Sequence, residues 1–88
     1  MNTKHVETAD TRTIRKVCAA VLENVRRASV RKSKRAQAQL ALDLLTGAAI
    51  FADQAGEKAV CNRLCIIGLS VAGAADVARL ETFANPRE

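Results

Sequence analysis

Aromatic side chains are almost missing from this chain: there is no Trp, no Tyr, and only Phe51 and Phe83. Unpaired bases would find little to stack on, which disfavours single-stranded nucleic acid as a ligand. Proline occurs once, as Pro86, and the four glycines all lie between Gly47 and Gly73, so long helices meet few breakers. His5 is the only histidine. A nucleophilic cysteine would need a base held beside it, and no glycine-rich phosphate loop is present. The sequence therefore predicts no enzyme, no small-molecule substrate and no cofactor.

Cysteine is also scarce. Cys18, Cys61 and Cys65 are an odd number and too few for a secreted disulfide framework, so a reducing compartment is expected. Together with His5 they make up the four groups that zinc prefers. The CxxxC spacing is weakly specific, however, and Cys18 and Cys65 fall on stripes that read as buried, so buried free thiols and no metal are the expectation. Charges run through the first 30 residues, leaving no apolar segment for a secretory signal. The longest uncharged apolar run, Leu64 to Ala75, falls well short of the roughly 20 residues that span a bilayer. A cytoplasmic protein is expected, with membrane binding the least favoured of its possible associations.

What the chain does contain is alanine and positive charge. Seventeen of its 88 residues are Ala, a residue that buries little area and favours close helix approach over a thick core. A chain of this size holds one domain, and with so many alanines a second copy helps to bury enough surface. No stretch alternates as a strand would. The expected fold is all-α: a small bundle of three to four helices, dimeric, with an N-terminal tail over 1–10, one helical domain over 11–85 and a C-terminal tail over 86–88.

Periodicity sets the helices. Ile14, Val17, Cys18, Val21, Val25 and Ala28 recur at three- and four-residue steps and predict an amphipathic helix from Thr11 to about Ser29, capped by Asp10 or Thr11. The stripe fades between Val30 and Ser33, where either a turn capped by Ser33 or an unbroken helix fits. Lys34 to Ala55 is apolar nearly all round and must be covered on most sides, by its own chain or by a partner. Gly56 suits a helix end and Glu57 with Lys58 a new start. In that third helix Val60, Leu64, Ile67 and Val71 form one apolar row and Cys61, Cys65, Leu69 and Ala72 the next, with Gly68 and Gly73 as a close contact or a break. A last helix, Ala75 to Ala84, is expected to bury Val77, Leu80 and Phe83. Neither Gly68 nor Gly56 gives a convincing helix-turn-helix: Leu64 is too large in the first alignment, and Glu57 and Asn62 are too polar in the second.

The strongest feature is the stretch RRASVRKSKR, in which Arg26, Arg27, Arg31, Lys32, Lys34 and Arg35 stand without an acidic neighbour. Residues 1–36 hold ten Lys and Arg against three Asp and Glu, and residues 37–88 hold four against six. Such asymmetry points to a polyanionic or acidic partner. The expected role is a small DNA-binding or DNA-associated accessory protein, contacting duplex phosphates through those six residues, with Arg12, Arg15 and Lys16 extending the patch. The competing role is a protein-binding regulator whose basic patch docks on an acidic protein. Both require that the cations be displayed rather than tied up by the chain's own carboxylates.

Overall fold

The computed structural model describes residues 8–28 and 33–84. Among them the elements are α1 (Ala9–Ala28), α2 (Lys34–Gln54), α3 (Lys58–Ala74), a 3-10 turn (Val77–Leu80) and α4 (Glu81–Ala84). The all-α expectation holds.

Local chemistry explains the boundaries. Thr8 caps α1, its Oγ1 accepting from the Thr11 amide at 3.0 Å, so the helix starts ahead of the predicted Asp10 or Thr11 cap. Residues 29–32 lie outside the described residues. At Ser33 the backbone is extended, with ψ 163°, and the hydroxyl accepts from the Ala36 amide at 3.1 Å. α2 therefore opens on its own cap, as the turn alternative required. It closes on Gly56, whose φ of +82° suits a residue without a Cβ. The Glu57 and Gly56 amides donate back to the Ala52 and Asp53 carbonyls at 2.8 and 3.0 Å, the paired bonds of a Schellman end.

After that turn α3 runs back along α2. Gly68 faces Leu42 and Leu45, and a Cβ on it would meet Leu42 Cδ1 at 3.0 Å. Gly68 and Leu45 are each eleven residues or so from the Gly56 turn, which is the register of an antiparallel hairpin. Gly68 is thus a close helix contact inside a continuous helix. Of the two alternatives for Gly73, contact or break, the break falls two residues later at Ala75, which takes a left-handed φ of 54°. Ala75 accordingly belongs to the turn, and the predicted single last helix is a 3-10 turn capped by Asp76 that leads into one turn of α4.

The core lies where α1 and the last turns close over the α2–α3 hairpin. Ile14, Cys18, Val21, Leu22 and Val25 meet Ala38, Ala41, Leu45 and Ala49 of α2, Val60, Leu64, Ile67 and Val71 of α3, and Leu80 and Ala84. Val77 and Phe83, expected to be buried with Leu80, pack only partly against it. The second apolar row of α3 is also more open than predicted: Cys61 is half-buried, Cys65 exposed and Leu69 66% exposed. The reason is that α2 and α1 together cover one side of α3, and the row through Cys65 and Leu69 turns away from both.

Candidate nucleic-acid interface

Helical spacing distributes the cations of α1. Arg12, Lys16 and Arg27 share a stripe with Glu23 at four- and seven-residue steps, and Arg15 and Arg26 lie on the neighbouring stripe. Arg12, Lys16 and Arg27 lie opposite the buried Cys18 and Val25 and are exposed, whereas Arg15 and Arg26 flank the buried Leu22, Arg26 exposed and Arg15 half-buried. From Arg12 to Arg27 the helix carries five Arg and Lys and one acidic residue, Glu23. At 1.5 Å per residue that cationic face is about 22 Å long. Arg26 and Arg27 also sit in the helix's last turn, where the dipole favours positive charge.

The corner around the decapeptide is less bare than its sequence suggests. Arg26 donates to Glu81, Arg27 pairs with Glu23 at 2.9 Å, and Lys34 stands 3.7 Å from Asp76. Arg35 makes no ion pair among the described residues, and Arg31 and Lys32 lie outside them. Of the four described cations in this stretch, three thus have a carboxylate beside them. Asp76 and Glu81 come from the far end of the chain, so folding partly cancels the charge difference between its halves. All three pairs are open to water, with the basic side chains 61–77% exposed. Pairs of that kind contribute about 0–1 kcal/mol each, so a phosphate can displace the carboxylate at small cost. A cleft of about 440 Å³ runs between α1 and α4, lined by Ala19, Leu22, Glu23, Arg26, Arg27 and Ala84.

The cysteines do not converge. Cys18 is fully buried in the core, where burial pushes its thiol up to about 11 against a weaker opposing pull from Arg63. Cys61 packs at the edge of the core and Cys65, one turn on, is exposed; desolvation, followed by the neighbouring Cys65, raises the Cys61 thiol. Among the described residues no group of three or more His, Cys, Asp or Glu side chains could hold a metal ion, and His5 lies outside them. No described helix is long and apolar enough to cross a membrane.

The second feature of the surface is apolar; on α2 the sequence led to the expectation of a side needing cover, whereas the exposure of Ile66 and Leu69 on α3 was not foreseen. Leu44, Ile50, Phe51, Ile66 and Leu69 are exposed, by 36, 54, 76, 61 and 66%. On α2 the all-round apolarity was the available signal.

No protein-family model matches the sequence, no curated protein matches it, and no solved structure matches the fold.

Proposed function

We propose that the chain is a small, non-enzymatic DNA-associated accessory protein of the cytoplasm, acting as a homodimer. It binds duplex phosphates through the outer face of α1 and the adjoining N-terminal corner of α2. Arg12, Arg15, Lys16, Arg26 and Arg27 supply the face and Lys34 and Arg35 the corner, with Arg31 and Lys32, which lie outside the described residues, adding charge from the same stretch of sequence. The observation that carries this reading is α1, which from Arg12 to Arg27 sets five Arg and Lys against one acidic residue of its own, Glu23, with Glu81 of α4 beside Arg26. Charge arranged along a helix in this way neutralises a line of phosphates and releases their counterions without reading bases. The near-absence of aromatic residues favours duplex over single strand.

A second reading rests on the carboxylates beside Arg26, Arg27 and Lys34. They temper the field and mix both signs at one corner, which suits docking on an acidic protein. Fluorescence anisotropy with a random-sequence duplex at low salt separates the two. Binding that is lost when Lys16→Glu and Arg27→Glu are combined supports the duplex reading. Undetectable binding to the wild-type chain overturns it and leaves the acidic protein.

A further inference from the structure

The outer side of α2 carries an apolar pattern that the monomer covers only in part, at Leu40 and Ala48, which pack against the core. A period of 3.6 residues places Leu40, Leu44, Gly47, Ala48, Phe51 and Ala55 on one face, about 100° wide. Every one of them is at least partly accessible, and Phe51 is 76% exposed. From Ala36 to Ala52 the only charged residue is Asp43, which lies off this face.

Gly47 is the anomaly. Glycine in the interior of a helix is unfavourable relative to alanine, and here nothing compensates within the chain, because a Cβ on Gly47 would have no atom within 4 Å. Gly68, by contrast, is filled by Leu42 and Leu45. A mid-helix glycine facing open space, between an exposed Leu44 and an exposed Phe51, is what a second helix needs in order to approach closely at that point.

The spacing says which helix. A two-fold interface requires that if residue i meets residue j of the partner, j also meets i. The face reads the same in both directions about the midpoint of Gly47 and Ala48: Leu44 and Phe51 lie equally far from it, as do Leu40 and Ala55. We propose that two copies of the chain pair through α2, crossing antiparallel at Gly47 and Ala48, with Phe51 of each copy packed beside Leu44 of the other. This deepens the dimeric part of the function proposed above and rests on it.

The exposed parts of these residues and their flanking stems offer roughly 500 Å² a copy and roughly 1,000 Å² across the contact, the lower end of specific interfaces. Buried area does not set the affinity of such a dimer. In it the two α2 N-terminal corners stand about 40 Å apart, since each is about 20 Å from the crossing point.

Sedimentation equilibrium of the full chain from about 1 to 500 μM tests this, with far-UV circular dichroism at the lowest concentration to verify folding. The expected result is a monomer–dimer equilibrium that Phe51→Glu abolishes and Gly47→Leu weakens at least about tenfold. Both variants should stay helical, because neither residue is packed in the monomer. Ala48→Cys, placed in a Cys61→Ser, Cys65→Ser background, should cross-link to itself under mild oxidation. A chain that is monomeric throughout overturns the dimeric reading itself. A dimer that survives Phe51→Glu and Gly47→Leu, or that dissolves only on Ile66→Glu, overturns the α2 crossing while leaving a dimer in place.

Discussion

α1 and α2 are nearly equal in length, 20 and 21 residues, yet they meet water in opposite ways. α1 divides cleanly into a buried stripe from Ile14 to Val25 and a charged face from Arg12 to Arg27. α2 buries Ala38, Ala41, Leu45 and Ala49 on one side and leaves Leu44, Ile50 and Phe51 exposed on others. A divided helix is completed by its own chain, whereas one that is apolar all round is completed only by a further surface. The two partners proposed above follow this difference, a polyanion for the first helix and an apolar surface for the second.

The sharpest way to break this comparison is to truncate the inner and outer sides of α2 in turn. Leu45→Ala removes a fully buried side chain and should lower the unfolding free energy by about 2–5 kcal/mol in a urea titration. Phe51→Ala, measured on dilute protein, should stay within about 0.5 kcal/mol of wild type. Equal losses would mean that the outer face is packed within the monomer.

On α1 the buried side can be read by pH. The Cys18 thiol, raised from 9.0 to about 11, stays neutral in the folded chain at a pH where the unfolded chain gives up its proton. Stability from this group is complete below pH 9 and is lost as pH rises from 9 to 11, by at most roughly 2–3 kcal/mol. Cys18→Ala should be less stable overall, yet its stability should fall less steeply over that interval. Parallel alkaline curves for the two proteins would show that the thiol is not held neutral.

The smallest effect concerns the charged corner. Glu81→Gln frees Arg26 from its partner and should change stability by less than about 1 kcal/mol. Duplex affinity should rise a few-fold, because one cation no longer has to exchange a carboxylate for a phosphate. An unchanged or weaker affinity would place Arg26 outside the interface.

Much of the backbone was legible in the sequence because its punctuation is local. Ser33 and Gly56 act through bonds to residues within five positions, and the stripe through Ile14, Cys18, Val21 and Val25 fixes which side of α1 turns inward. Ala75 was not legible, since a left-handed alanine carries no signature and glycine was the natural choice for the break. Nor was the exposure of Cys65 and Leu69: a row of apolar residues predicts a face but not whether anything covers it. The site divided along the same line. Helical spacing placed Arg12, Arg15 and Lys16 with Arg26 and Arg27, but the arrival of Asp76 and Glu81 beside Lys34 and Arg26 is a tertiary event between residues 42 and 55 positions apart.

The most direct measurement is the salt dependence of duplex binding, taken as log K against log salt concentration from about 50 to 200 mM. With five to nine cations on phosphates the expected line has a slope between roughly −4 and −8, and it loses roughly one unit for each of Lys16→Gln and Arg27→Gln. A slope near zero, or no binding even at the lowest salt, contradicts a phosphate-binding role for the α1 face.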